Sequence, residues 1–212
     1  MADITGQMVG TRRRGGSYDQ GQIQLNDVYE QIVAQGMPRG AALTIQGKSW
    51  ATMTTSAVAG LVVRPSTVCL FELWNGYSGA NAPSLIVDRV FFFNLVSTNV
   101  IEGFSGWAQV TAAKATPSSA GLAIRGNSGK AYNGSAVTAV GTTVIDSGWI
   151  PWTNAYQKGA GGVVPFGATI GEVDGRLVVP PGSSLCTHVV SSLVGQTFTT
   201  GASWYEEVVT LA

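Results

Sequence analysis

From residue 41 to the C-terminus, the chain is a succession of short segments with the composition of β-strands. Segments such as AALTIQGKSW, SLIVDRVFFFNLV and SSLCTHVVSSLV are rich in valine, isoleucine, threonine and aromatic residues, which favour strands. Clusters of glycine, proline, asparagine and serine separate them, as turns separate strands. Strands at this spacing, without helical patterns between them, are typical of a sandwich or barrel. We therefore predict one all-β domain over residues 41–212.

Two turns are predicted in the C-terminal half of this domain. LVVPPGSSLCTHVV, at 177–190, joins two strand-like runs through a proline-glycine turn, and we interpret it as a hairpin. EVDG, at 172–175, predicts a second hairpin, because Asp174-Gly175 is a favoured pair in two-residue turns. Side-chain alternation predicts two faces for the strand after the prolines, with Leu185, Thr187 and Val189 on one face and Cys186, His188 and Val190 on the other.

The first 40 residues differ from the rest of the chain. Residues 1–22 have no hydrophobic period and contain three consecutive arginines, so we predict an extended arm. Apolar residues then recur at the i, i+3, i+4, i+7, i+8 spacing of one helical face, which predicts a short helix near 27–35, with a strand over 22–25 as a further possibility. The residues on this predicted apolar face are Leu25, Val28, Tyr29, Ile32 and Val33.

The low charge of the chain indicates self-association. Only 11% of the residues are charged, against about 25% in ordinary soluble domains. A surface with so few charges is poorly hydrated and tends to associate, so we expect other subunits to cover part of it. The net charge is zero, which argues against long-range attraction to nucleic acid. The apolar runs are far shorter than the roughly 20 residues that a membrane span needs.

No catalytic or metal-binding pattern stands out, and we expect neither an enzyme nor a cofactor. His188 is the single histidine, which excludes a histidine-rich metal centre and makes a structural or interface role the expectation. Cys69 and Cys186 are predicted to be buried thiols, with a disulfide as the alternative. Glu206 and Glu207 are adjacent on a strand, so they point to opposite faces and do not form a catalytic pair. A glycan-cleaving enzyme, whose two carboxylates would have to converge, stays an alternative.

Two groups of residues are candidates for binding. Three arginines of the arm are predicted to contact an acidic groove on a neighbouring subunit, in preference to nucleic-acid phosphates. The apolar face of the predicted helix is expected to dock onto a neighbouring subunit. These arm residues are Arg12, Arg13, Arg14, Leu25, Val28, Tyr29 and Ile32. Aromatic residues in WNGYSGANAP and WIPWTNAY, interpreted as loops at strand ends, are candidates for stacking on sugars. They are Trp74, Tyr77, Trp149, Trp152 and Tyr156.

The C-terminal stretch GRLVVPPGSSLCTHVV, followed by GASWYEEV, resembles the last strands of jelly-roll structural proteins of tailed phages. These are capsid decoration (cement) or head-fibre-like proteins. The resemblance lies in an apolar strand, a proline-glycine turn, an alternating strand and a final aromatic-acidic cluster. The matching segments are Leu177 to Val179, Pro180 to Gly182, Leu185 to Val190 and Trp204 to Glu207. The predicted helix near 27–35 is not part of this pattern.

The resemblance implies a jelly-roll-like β-sandwich that forms a homotrimer and binds a viral major capsid protein. The predicted organisation is an N-terminal arm and short helix over 1–40, followed by the jelly-roll-like domain over 41–212. The expected function is that of a structural virion protein of a bacteriophage, which decorates and stabilises the capsid shell. We expect it to be made in the host cytoplasm, because no signal peptide is visible. The alternatives are a carbohydrate-binding or receptor-binding module of a head or fibre, and a self-assembling tube or filament subunit.

Overall fold

A computed structural model describes residues 10–14, 17–21, 40–96, 101–112, 122–158, 168–192 and 194–209. The chain divides into two compact units, residues 1–39 and 40–212. In the first unit, β1 (Gly10–Arg14) and β2 (Ser17–Gly21) form an antiparallel pair in which Arg12 lies opposite Asp19. Arg12, Arg13 and Arg14 thus belong to a strand within the predicted arm. The strand predicted over 22–25 and the helix predicted near 27–35 lie outside the described residues.

The second unit contains one short helix and eleven strands among its described residues. The helix is α1 (Ala41–Ile45). The strands are β3 (Ser49–Met53), β4 (Val58–Ala59), β5 (Phe71–Asn75), β6 (Ser84–Val96), β7 (Ile101–Ala112), β8 (Arg125–Gly126), β9 (Ala136–Val140), β10 (Ile150–Lys158), β11 (Ala168–Val179), β12 (Ser183–Ser191) and β13 (Thr197–Glu207). These elements confirm the predicted all-β class.

The strands form two sheets with jelly-roll connectivity. A six-stranded sheet has the order β11-β6-β13-β3-β8, with β4 beside β13, and a five-stranded sheet has the order β10-β7-β12-β5-β9. Omitting β4, β8 and β9 leaves eight strands, which can be counted one to eight along the chain. Their order is 6-3-8-1 in one sheet and 5-4-7-2 in the other. This is the arrangement of two interlocked Greek keys that defines a jelly roll.

Apolar side chains of the inner faces fill the space between the sheets. Strict alternation along the strands produces this core, because every second side chain points inward. Its largest fully buried members are Trp204, Phe71, Phe92, Phe198, Leu70, Leu73, Leu85 and Leu185.

Three sequence-based expectations about individual elements are wrong. AALTI forms α1, where a strand was predicted; Gly40, with φ of 74°, starts it, and its alanines and leucine favour helix. The turn at Pro180 to Gly182 does not close a hairpin, because β11 and β12 belong to opposite sheets. Asp174 and Gly175 do have positive φ, 53° and 74°. They form an irregularity inside β11, where its register against β6 shifts between Glu172 and Leu177.

Part of the outer face of the five-stranded sheet is covered by the chain itself. We call residues 141–149 the covering segment. Val144 N–H donates to the Thr67 carbonyl over 2.8 Å, and the Ile145 carbonyl accepts hydrogen bonds from Gln109 and Thr111 of β7. Outward-pointing residues of β12 are buried as a result, namely Ser184, Cys186 and His188.

Candidate interaction surface

The outer face of the six-stranded sheet carries apolar side chains that remain partly exposed. Direct register partners on an antiparallel sheet share a face. One row of partners crosses four strands: Ile170 of β11, Phe91 of β6, Gly201 of β13 and Met53 of β3. Ile170 is 47% exposed and Met53 is 41% exposed. This row forms the centre of the surface.

A second row widens the apolar area. Ala168, Phe93 and Thr199 are partners on the same face of β11, β6 and β13. Leu95, two residues beyond Phe93 on β6, is 39% exposed. The phenylalanine run at 91–93 explains the area, because Phe92 points into the core while its two neighbours must point outward.

A groove of about 350 Å³ lies in this face. Its lining residues are Ala51, Thr52, Met53, Phe91, Phe93, Ala123 and Arg125. Gly201 lies between Phe91 and Met53 in the register of the sheet. A Cβ at Gly201 would clash with the Thr52 carbonyl oxygen, so this position needs a glycine.

A third row of register partners on this face contains charged side chains. Its members, in order across the sheet, are Glu172 of β11, Arg89 of β6, Ser203 of β13, Ala51 of β3 and Arg125 of β8. Arg89 Nε lies 3.5 Å from Glu172 and 3.8 Å from Asp88. Arg125 is exposed at the other edge. The apolar centre is thus flanked by charges of both signs.

A buried carboxylate holds a polar network at one end of the sandwich. Glu206 is 9% exposed and accepts hydrogen bonds from the hydroxyls of Tyr77 and Tyr132, each over 2.8 Å. Trp204 Nε1 donates to it over 3.4 Å. Burial, together with the carboxylate, raises the pKa of Tyr77 and of Tyr132, so both remain protonated donors. The network thus ties the segments that carry Tyr77 and Tyr132 to β13.

A second buried network lies beneath the covering segment. Glu72 is 3% exposed and accepts hydrogen bonds from Thr142 and Ser184, each over 2.6 Å. Cys69 Sγ lies 2.9 Å from Thr142 Oγ1. Cys69 and Cys186 are both free and buried, as predicted. A hydrogen bond with Cys69, together with burial, raises the pKa of Cys186, which keeps that thiol protonated and unreactive.

His188 belongs to the same covered region and is 4% exposed. Its ring makes an edge contact with Trp149 at 6.4 Å between centroids, and its Nδ1 accepts the Val189 N–H over 2.8 Å. Burial lowers the pKa of His188. These contacts lie within the same chain and agree with the structural role, one of the two roles expected for His188. Among the residues that the structure describes, no group of three or more histidine, cysteine, aspartate or glutamate side chains could hold a metal ion.

The five predicted sugar-stacking aromatics are not brought together as one exposed platform. Trp149 is 4% exposed and donates to the Ser66 carbonyl over 2.7 Å, so its ring faces cannot stack on a ligand. Trp74 and Tyr77 are half-buried. Trp152 packs against the core, with Arg176 5.1 Å above its ring. Trp152 and Tyr156 lie on strand β10, where a loop was predicted, and Tyr156 is 72% exposed.

The predicted arm contacts lie largely beyond what the structure describes. Arg12, Arg13 and Arg14 are on β1, whereas Leu25, Val28, Tyr29 and Ile32 fall on residues outside the described ranges. Within those ranges, no helix has the length and apolar character required to cross a membrane.

Sequence reasoning missed the outer face of the six-stranded sheet, although one signal was available. Three consecutive phenylalanines at 91–93 on a strand place aromatic rings on both faces of the sheet. The other contributors, such as Ile170 and Met53, come from strands far apart in the sequence, and only their register brings them together.

Comparison with known proteins gives no match. No protein-family model matches the chain, no curated protein matches it, and no solved structure matches it.

Proposed function

We propose that this protein is a structural subunit that self-associates through the outer face of its six-stranded sheet and decorates and stabilises a viral capsid shell. The observation that carries the self-association is the partly exposed apolar row containing Ile170, Phe91 and Met53. Contiguous exposed apolar patches on folded domains mark interaction sites. On the other sheet, residues 141–149 cover part of the outer face.

The energetic reason for association is removal of this apolar area from water. Burial contributes about 25 cal/mol per Å² before the entropy costs of binding. The three exposed side chains Ile170, Met53 and Leu95 retain 39–47% of their surface, so a second sheet packed on them has apolar area to bury. Since only 11% of all residues are charged, little electrostatic repulsion opposes such a contact.

A second copy of the chain fits this face because its charged border contains both signs. Glu172 and Asp88 lie on one side of the apolar centre and Arg125 lies on the other. A surface with this border is complementary to itself. A strongly basic or acidic partner would match only one edge.

Replacing Ile170 by lysine tests the interface. The substitution places a charge in the apolar row of the contact, where burying it is unfavourable, and we expect the assembled species to dissociate in sedimentation velocity. Val194→Lys is the matched control, because Val194 is 79% exposed on a turn, and it should leave the mass unchanged. Equal masses for the wild type and the folded Ile170→Lys variant would overturn the proposal.

The capsid role rests on the jelly-roll topology, the resemblance at residues 177–207 and the basic arm. Its mechanism is burial at the sheet face together with an arm that reaches a neighbouring subunit. We expect deletion of residues 1–22 to abolish binding to shells assembled from a tailed-phage major capsid protein, while the β domain stays folded. Co-sedimentation with shells, with circular dichroism as the folding control, measures both. Full binding by the truncated chain would refute the role of the arm.

A further inference from the structure

The charges on the outer face of the six-stranded sheet are arranged across a central strand. β13 lies in the middle of the order β11-β6-β13-β3-β8. In the charged row, Glu172 is two strands from β13 on one side, and Arg125 is two strands from it on the other. The row therefore has opposite charges at equal strand distances from its centre.

The net charges of the two edges are also opposite. Arg89 lies near two carboxylates, Asp88 and Glu172, so this group of three side chains has one negative charge in excess. Arg125 forms no ion pair with any residue of the described ranges. One unpaired positive charge thus faces solvent at one edge, and one excess negative charge at the other.

We infer that two copies of the chain stack these faces about a two-fold axis that runs along β13. The inference rests on the proposed self-association and specifies its geometry. Rotation about that axis places β11 of one copy over β8 of the other. Glu172 of each copy then faces Arg125 of the second copy, and the symmetry produces this contact twice.

The apolar row agrees with the same axis. Gly201 lies on β13 and therefore on the axis, while Phe91 and Met53 are one strand away on opposite sides. Rotation places Phe91 of one copy over Met53 of the other. Packed sheets lie about 10 Å apart with interdigitating side chains, so the Phe91 ring enters the groove beside Gly201 of the second copy. The groove of about 350 Å³ is the space that receives it.

Stacking about a two-fold axis perpendicular to the strands, through the charged row, is unfavourable. An axis perpendicular to the strands and passing through the charged row would place β11 over β11 and β8 over β8. Glu172 would then face Glu172, and Arg125 would face Arg125. Like charges opposed across an interface strongly disfavour binding, so the charge pattern favours the axis along β13 over this one.

Charge reversal tests this geometry. Glu172→Arg and Arg125→Glu each create two like-charge contacts per pair, and we expect each to raise the dissociation constant of the dimer by about ten-fold or more. The double variant restores both contacts with the signs exchanged and should dimerise like the wild type. Sedimentation equilibrium of the full chain at low salt measures all four proteins, with circular dichroism to verify that each is folded.

Mixing the two single variants provides a second readout. In the mixed pair, the arginine introduced at position 172 of one chain would face the glutamate introduced at position 125 of the other. The native Glu172 and Arg125, one from each chain, would also face each other. The mixture should therefore associate more tightly than either variant alone, which no effect within one subunit would produce.

The outcomes separate the two proposals. If the wild type dimerises through the Ile170 region but neither the double variant nor the mixture recovers affinity, the two-fold geometry is wrong and self-association stands. A trimer, as the phage resemblance implies, would also overturn the two-fold pairing. A wild-type chain that remains monomeric would overturn both proposals.

Discussion

At the scale of single residues, the buried glutamate Glu206 makes a testable contribution to stability. It accepts hydrogen bonds from Tyr77, Tyr132 and Trp204 and is 9% exposed. Glutamine presents one oxygen and one NH₂ group, so Glu206→Gln leaves buried donors without an acceptor. We expect a loss of about 1–3 kcal/mol in the free energy of unfolding, measured by urea denaturation.

Glu207 supplies the matched control for this substitution. It is the next residue on β13, points to the opposite face and pairs with Lys48 over 2.7 Å. Both side chains of that pair are well exposed, so Glu207→Gln should change stability by less than about 1 kcal/mol. Equal effects of the two substitutions would show that the Glu206 network does not contribute to stability as described.

His188 predicts a pH dependence of stability. Burial lowers the pKa of His188, whereas in the unfolded chain a histidine has a pKa of about 6.5. Below that pH the unfolded state binds the proton more readily, so this contribution to stability is complete above about pH 6.5 and declines as the pH falls toward the folded-state pKa. His188→Gln removes the dependence.

Urea unfolding at pH 7.5 and at pH 5 measures this effect in the wild type and in His188→Gln. We expect the loss of stability between the two values to be smaller in the variant, since protonation of Nδ1 also removes its bond from the Val189 N–H. An equal loss in both proteins would contradict the assignment.

At the scale of elements, the covering segment predicts the reactivity of the two thiols. Trp149 packs with Cys69 and Cys186, both of which have 0% exposure. We expect Trp149→Ala to accelerate native-state labelling of the thiols by a maleimide, because a large cavity opens above them. Ile150→Ala is the adjacent control: Ile150 is 53% exposed, and its loss should leave the labelling rate unchanged.

Rapid labelling of the wild type would contradict the covering role. So would a labelling rate in Trp149→Ala that rises no more than its lower global stability explains. The same reagent in denaturant without reductant should find two thiols per chain, because neither cysteine is bonded.

The sequence predicts which segments form strands better than it predicts which strands pair with each other. The two strands of LVVPPGSSLCTHVV and the buried face containing Leu185 and Val189 follow from local composition and alternation. The same signals cannot distinguish a hairpin from a connection between two sheets, because the turn residues are alike. Asp174-Gly175 illustrates this limit: the pair adopts the positive φ typical of a turn, yet it lies in the middle of β11.

At the scale of the whole molecule, the all-β class was predictable, but the apolar outer face of the six-stranded sheet was not. Turn spacing and β-rich segments indicate a sandwich, and the observed strand order is that of a jelly roll. The apolar face needs long-range register, since Met53, Phe91, Ile170 and Gly201 come from four strands. Burial of Trp149 also depends on a distant contact, with Ser66, which explains why its assignment to a ligand loop was wrong.

The mass of the full chain in solution, measured by light scattering over a dilution series, tests self-association most directly. The two-fold stacking predicts a species of twice the 22.0 kDa chain mass at high concentration, which dissociates reversibly on dilution. A mass of 22.0 kDa at every concentration would contradict self-association through the outer face of the six-stranded sheet.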